Sequence, residues 1–462
     1  MVSVDAQFLE SWLVEQRWFA SKSRDLSAVN LLETLTLRES EEQPLVLALV
    51  EARFATGTRE LYQVLLGARR KTVEDEAGTI HAAGGWELYD ALGDPAQGGV
   101  LAGFFDGGRE IDGEHGCVRF HHTEGAPDMG SCPAVRPMGA EQSNSSVILD
   151  DRYVLKVFRR LEAGDNPELE MLKFLTEQGF ENIARLQGWY DYSGELMVAT
   201  LGVVQDYVAD ATDGWALTLQ AIGAGDEGLI DRLRDLGGVT GDMHRALGSG
   251  GAMNSDFAPD EPSDDALALL TATIDEQIER VFVDLPADNP ALEPILHRGQ
   301  EIHDRLQMMS HVGVGGRQIR HHGDFHLGQT LAQPDGRWVI LDFEGEPARS
   351  LRDRRRKRSP LRDVAGMLRS LAYVASASDL LHGKPAPEGW EDAARAAFLE
   401  GYYEHVDPAL LPAGQAAIDK LLAIFELEKA VYELRYELDN RPEWVRIPVA
   451  GISRLLQEPL PA

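Results

Sequence analysis

Ile319-Arg320-His321-His322-Gly323-Asp324-Phe325-His326-Leu327-Gly328-Gln329-Thr330 precedes an apolar run, Val339-Ile340-Leu341, that ends in Asp342-Phe343-Glu344. The order carries the information: a carboxylate, then a side-chain amide, then a second carboxylate closing a hydrophobic strand. Phosphoryl transfer uses this order. The first carboxylate accepts or orients the proton of an attacking hydroxyl, while the amide and the second carboxylate hold Mg²⁺ on nucleotide phosphates. Mg²⁺ prefers hard oxygen ligands, which accounts for the residue types. Taken singly, His321, His322 and His326 read as surface histidines and the aspartates as turn formers. A zinc site would need a further ligand, and no His-Glu-x-x-His pattern is present. The whole ordered set favours phosphoryl transfer.

Working outward toward the N-terminus, Ser145 to Leu149 and Tyr153 to Phe158 read as two strands joined by a tight turn at Asp150-Asp151. Lys156 stands inside the second strand, where an ammonium is costly unless paired. The predicted helix from Pro167 to Gln178 offers Glu170 as its partner, with Glu168 as the second choice. Glu141-Gln142-Ser143-Asn144-Ser145-Ser146 precedes the first strand, and its amides and hydroxyls suit phosphate oxygens. Leu196 to Val208 reads as the last strand of this sheet with an extended linker. Earlier still, Leu45–Phe54 and Glu60–Leu66 flank a hairpin turn, residues 6–18 have helical spacing, and residues 86–104 read as helical around Trp86, Leu88, Tyr89 and Leu92. After Trp215 the pattern is mostly helical, with a strand-rich insert at 317–345. The spacing predicts an α+β chain of two lobes: a small N-terminal α+β cap over 1–88, a β-rich nucleotide lobe over 89–205 and a mostly α-helical lobe over 206–462.

Composition narrows the class. The 462 residues carry 76 Asp and Glu against 44 Lys and Arg, a formal charge of −32. Such a surface repels nucleic-acid backbones and anionic lipid, so neither is an expected partner. Only two cysteines, Cys117 and Cys132, are present, which favours a reducing compartment. No apolar run reaches membrane-spanning length, and the acidic N-terminus lacks the basic region of a secretory signal, so a cytoplasmic location is expected. Against this background the run from Arg349 to Arg362 is conspicuously basic. It reads as a solvated loop, with a flexible lid as the alternative.

These blocks together resemble the bacterial maltokinases, a branch of the aminoglycoside-phosphotransferase-like, protein-kinase-like fold. The resemblance rests on Gln16-Arg17-Trp18-Phe19-Ala20, Glu141 to Ser146, Leu155-Lys156-Val157-Phe158-Arg159-Arg160, Asn166-Pro167-Glu168-Leu169-Glu170, the two segments around Asp324 and Asp342, Ser359-Pro360-Leu361-Arg362-Asp363-Val364-Ala365-Gly366-Met367-Leu368-Arg369-Ser370, Glu428-Lys429-Ala430-Val431-Tyr432-Glu433 and Asn440-Arg441-Pro442-Glu443-Trp444. It covers essentially the whole chain. It implies transfer of the ATP γ-phosphate to the anomeric hydroxyl of maltose, giving maltose 1-phosphate for α-glucan synthesis, with trehalose synthase as a family-level partner.

The resemblance also assigns roles. Asp324 would be the base. Lys156, anchored by Glu170, would hold the nucleotide phosphates together with Ser143, Asn144 and Ser145, and Gln205, Asp206, Tyr207 and Val208 would form the adenine hinge. Gln329 and Asp342 would hold Mg²⁺, with Glu344 as a further ligand. The acceptor sugar would meet His322, Asp324 and His326 and a C-terminal group of Tyr432, Glu433, Arg435 and Trp444, with Tyr436 beside them. Asp363 would brace the catalytic loop through its backbone hydrogens, or serve as a helix-capping carboxylate. Two alternatives stay open: the same fold acting on glucosamine or an aminoglycoside, and a catalytically dead scaffold. The intact Lys156, Asp324, Gln329 and Asp342 argue against the second.

Overall fold

The structure, a computed structural model, describes residues 4, 6–19, 21–70, 80–82, 86–130, 132, 134–139, 144–251, 254–262, 264–286, 288–310, 316–347 and 349–457. Glu141, Gln142 and Ser143 lie outside them. The chain divides into two compact units, one of residues 1–176 with 184–209, the other of residues 177–183 with 210–462.

The first unit opens with α1 (Ala6–Glu15) and a six-stranded antiparallel sheet. Its strands are β1 (Leu26–Arg38), β2 (Leu45–Phe54), β3 (Arg59–Arg70), β4 (Ile80–Ala82) and β5 (Trp86–Asp90), with a short later strand on β3. The β2–β3 hairpin turns at Gly57, whose φ of +81° suits glycine. Trp12, Trp18, Phe19, Phe54 and Tyr62 pack in contact as its aromatic core, so the aromatic stretch near the N-terminus is interior material. The helix expected over 86–104 is corrected. Residues 86–90 are β5, whose Leu88 is buried against β3, and the helix, α2 (Pro95–Asp106), begins only after Asp94 caps it at Ala96 N–H, 2.9 Å. β5 therefore spans the boundary expected at residue 88.

The second sheet has seven strands in the order β6-β7-β12-β13-β10-β9-β8: β6 (Glu110–Asp112), β7 (Gly116–His122), β8 (Val135–Pro137), β9 (Ser145–Leu149), β10 (Tyr153–Val157), β12 (Leu186–Gly194) and β13 (Val198–Asp206). The β9–β10 turn places Asp150 and Asp151 at φ of 53° and 51°, the left-handed pair of a tight hairpin. β11 (Arg160–Leu161) is the strand that leaves this sheet to pair with β3. Gln63 of β3 strengthens the join, donating to Phe158 C=O at 2.8 Å and accepting from the Tyr190 hydroxyl at 3.0 Å. α3 (Pro167–Glu177) follows, its Glu168 N–H capped by Asn166 Oδ1 at 2.9 Å.

The second unit is mostly helical: α4 (Gly214–Ala224), α5 (Gly228–Leu247), α6 (Asp264–Val283), α7 (Gly299–Ser310), α8 (Leu351–Arg354), α9 (Leu361–His382), α10 (Trp390–His405), α11 (Gln415–Asn440) and α12 (Arg446–Gln457). A three-stranded sheet of β14 (Thr212–Asp213), β15 (Thr330–Ala332) and β16 (Trp338–Ile340) places the Asp324 and Asp342 segments on either side of a hairpin. Among the described residues no helix is long and apolar enough to cross a membrane.

Candidate active site

In the first unit Lys156 sits at the centre of its sheet, paired in register with Ser146 on one side and Val203 on the other. Its Nζ donates to Glu168 Oε2 at 2.7 Å. The carboxylate seen on Lys156 is Glu168, the second choice from sequence, which stands in the first helical turn with its side chain 2% exposed. The helix N-terminus favours a carboxylate at that position. Gln205 Nε2 donates to the other oxygen, Glu168 Oε1, at 2.9 Å, so the carboxylate is held from two sides.

The hinge expectation changes accordingly. The Gln205 side chain is a brace for Glu168, and the Gln205 backbone lies in register with Val154 and Leu186. Asp206 N–H and Tyr207 N–H donate to Arg185 C=O (3.0 Å) and Arg152 C=O (2.8 Å). The Asp206 carboxylate accepts from Gln187 Nε2 at 2.7 Å, and burial raises its pKa. Asn144 is buried, whereas the Ser145 hydroxyl accepts from Arg159 Nε at 2.8 Å and so turns toward the first sheet.

In the second unit the loop around Asp324 is held by Asp363. One carboxylate oxygen accepts from His322 N–H at 2.7 Å and the other from Gly323 N–H at 2.9 Å. His244 Nε2 of α5 donates to the same carboxylate at 3.1 Å, and its Nδ1 lies 3.1 Å from the Tyr402 hydroxyl. Burial would raise the Asp363 pKa, but His321 and His244 beside it carry it well below the ordinary range. Gly323 takes a φ of +86°, and a Cβ there would lie 3.3 Å from Gly345 Cα, so this turn needs glycine twice over.

His322, expected at the sugar, is corrected. It is buried, donates from Nε2 to Leu341 C=O at 2.8 Å and accepts from Asp324 N–H at Nδ1, 3.4 Å. It clamps the Asp324 turn to the end of the strand leading to Asp342. His326 stands nearer the expected place: Nδ1 accepts from Gly328 N–H at 3.1 Å, which turns Nε2 to within 4.0 Å of Asp324 Oδ2. Gln329 Nε2 donates to Asp342 Oδ2 at 2.9 Å. Asp342 has a φ of +62°, an uncommon conformation for a residue other than glycine and one concentrated at functional sites.

The Asp324 carboxylate stands at the meeting of these groups. Lys429 Nζ of α11 lies 3.1 Å from its Oδ1. Burial pushes the Asp324 pKa up, but Lys429 and then His326 outweigh it, so the carboxyl sits below its usual value and is ionised. Lys429 was not given a role from sequence. Its signal was there: it follows Phe425 by one helical turn on the buried side of α11.

Asp324 opens onto a cavity of about 430 Å³ bounded by α6, α9, α11 and the segment after Asp342. Tyr432 and Arg435 line it. Glu433 does not; its carboxylate accepts from Arg369 Nε (3.0 Å) and Nη2 (2.8 Å). Trp444 instead stacks on Tyr373, with ring centroids 6.5 Å apart. The basic run is divided: Arg349, Arg354, Arg358 and Arg362 line the same cavity, whereas Arg352 and Arg356 are exposed.

Residues 12–94 match the maltokinase N-terminal cap domain. Over 334 residues (70% of this chain, 80% of the relative) the sequence is 27% identical to a glucosamine kinase of Mycolicibacterium smegmatis (strain ATCC 700084 / mc(2)155). Over 347 residues (72% and 76%) it is 28% identical to a glucosamine kinase of Streptacidiphilus jiangxiensis. The fold matches a solved glucosamine kinase with a TM-score of 0.72 at 22% identity, over 99% of this chain and 98% of that one. A glucosamine kinase in complex with glucosamine, ADP and inorganic phosphate gives 0.68 at 21% identity, over 99% and 100%. The fold class is thus α+β and kinase-like, with an N-terminal cap, a β-sheet region and a helical C-terminal region.

Proposed function

We propose that this chain is an ATP-dependent sugar kinase in which Asp324 is the general base. The observation that carries the reading is an ionised carboxylate on a loop braced through two backbone amides, opening onto a cavity of sugar size. Asp324 takes the proton of the acceptor hydroxyl as its oxygen bonds to the γ-phosphorus. The bond from that phosphorus to the β–γ bridging oxygen breaks, and ADP leaves. Asp342 and Gln329, with Glu344 as a third donor, offer the hard oxygen set that suits Mg²⁺, which would neutralise phosphate charge. In the first unit Lys156, held by Glu168, is the group for the nucleotide phosphates.

Glucosamine is the acceptor that the curated relatives support, by the activity in their names. Maltose is the second reading. It is supported by the cap match and by the cavity's charge: Asp324, Glu346, Glu428 and Asp363 are each already engaged by Lys429, Arg349, Arg362 and His244, which leaves little to attract an ammonium. ADP release measured with glucosamine, maltose, glucose and an aminoglycoside decides between them. Turnover on glucosamine alone establishes the first, turnover on maltose alone the second, and no Mg²⁺-dependent turnover on any sugar removes the kinase reading.

A further inference from the structure

The cavity beside Asp324 is basic in a protein of charge −32: its lining holds more arginine and lysine than carboxylate. Most of these cations have partners. Arg349 pairs with Glu346 at 2.5 Å and Arg362 with Glu428 at 2.9 Å. Arg358 differs, because among the described residues its guanidinium has no ion pair or hydrogen bond. Its backbone forms a bridge with Ile319 closed by two 2.9 Å bonds, which fixes it beside the strand entering the catalytic loop, and Glu428 acts on its guanidinium only through space. Burial and the nearby Arg362, Arg349 and Arg356 push its pKa down to about 10, unusual for a group that is otherwise always charged.

A second group in the same lining is also unsatisfied. His321 Nδ1 is buried without a hydrogen-bond partner. Burial, reinforced by Arg362 and Arg358, lowers its pKa to about 3, so the ring is a neutral donor or acceptor. Finally, Arg358 and Arg362 flank the start of the 22-residue helix α9, whose positive end adds to theirs. Its first-turn carboxylate, Asp363, is spent on the catalytic loop and His244. Glu428 and Glu346 offset Arg362 and Arg349, so Arg358, beside this helix N-terminus, is the cation left for a further anion.

We propose that Arg358, Arg362, Arg349 and His321 form an oxyanion subsite on the acceptor side of Asp324 that binds a phosphate group. The phosphate belongs to a sugar phosphate or is free inorganic phosphate, and the subsite does not depend on which sugar is the acceptor.

Calorimetric titration of inorganic phosphate into the full chain, saturated with Mg²⁺ and a non-hydrolysable ATP analogue so that the nucleotide phosphate positions are filled, tests this without turnover. Saturable binding is expected, weakened about tenfold or more in Arg358→Gln, as loss of a charge-assisted contact requires. Binding is expected to be unchanged in Arg352→Gln, an exposed member of the same run. Arg349→Gln gives a second reading should Arg358→Gln fail to fold. Glucosamine 6-phosphate, titrated in parallel, separates the sources: tighter binding than phosphate with the same arginine dependence assigns the subsite to sugar phosphates, and phosphate binding alone assigns it to the free ion. No saturable phosphate binding to the wild type, or undiminished affinity in the folded arginine variants, overturns the proposal. Binding of the ATP analogue itself reports separately on the kinase reading.

Discussion

Lys429 Nζ of α11 lies 3.1 Å from Asp324 Oδ1, although the two residues stand far apart in the chain. This contact lowers the carboxyl pKa against the pull of burial, and Lys429 is itself held above its ordinary value, since Asp324 and Glu433 outweigh the effect of its burial. Lys429→Met removes the charge that favours the carboxylate. The Asp324 pKa then rises, and the acid limb of the kcat/KM profile moves to higher pH. A pH–rate series on both proteins checks this, and an unmoved limb would show that Asp324 is not the titrating base.

Asp324→Asn keeps size and shape but cannot take a proton. A fall in kcat of about 10²-fold or more is expected, with nucleotide affinity nearly intact. Single-turnover kinetics with a parallel ADP-binding titration separates the two quantities.

Lys156 is paired with Glu168, whose other oxygen accepts from Gln205. Glu168→Gln is expected to raise the KM for ATP severalfold, because a neutral amide no longer fixes the ammonium. Glu170→Gln is expected to do much less. Equal effects in steady-state kinetics would return the anchor to Glu170.

Arg159 is buried beneath the Trp18 ring, ion-paired with Asp90 and bonded to Ser145 Oγ at 2.8 Å. It ties the cap sheet to the strand that follows the proposed phosphate loop. Arg159→Met leaves Asp90 without its partner, and a loss of about 3 kcal/mol is expected. Urea denaturation measures it, and a change under about 0.5 kcal/mol, the usual range for surface substitutions, would place Arg159 outside the core network.

His321 gives a pH signature. Its folded pKa, pushed down to about 3 chiefly by burial, lies below the value near 6.5 expected in an unfolded chain. The unfolded state therefore binds the proton more readily. The stabilising effect is complete above pH ~6.5 and is lost progressively as pH falls toward about 3. His321→Gln should show a shallower loss of stability than the wild type over that window in denaturation curves. Parallel curves would mean that His321 titrates normally.

The sequence by itself pointed to phosphoryl transfer and to the segments proposed to carry it. Ordered types at fixed local spacing are read from one short stretch, so Asp324, Gln329 and Asp342 stood out as candidates, as did the strand around Lys156, whereas the bracing part of Asp363 was implied only by the family resemblance. Local periodicity likewise marked the β2–β3 and β9–β10 hairpins. It misread residues 86–90, where Trp86, Leu88 and Tyr89 suit helix spacing but β5 is held by pairing with β3. Only the tertiary structure decided which side chains meet. Glu168, in the first turn of α3, meets Lys156. His322 and Glu433 proved to be clamps for Leu341 C=O and Arg369, and part of the basic run turned inward. Each outcome depends on partners many residues away, such as Lys429 for Asp324 and His244 for Asp363. Burial, charge and hydrogen-bond geometry settle such choices once the chain has folded, and no local spacing records them.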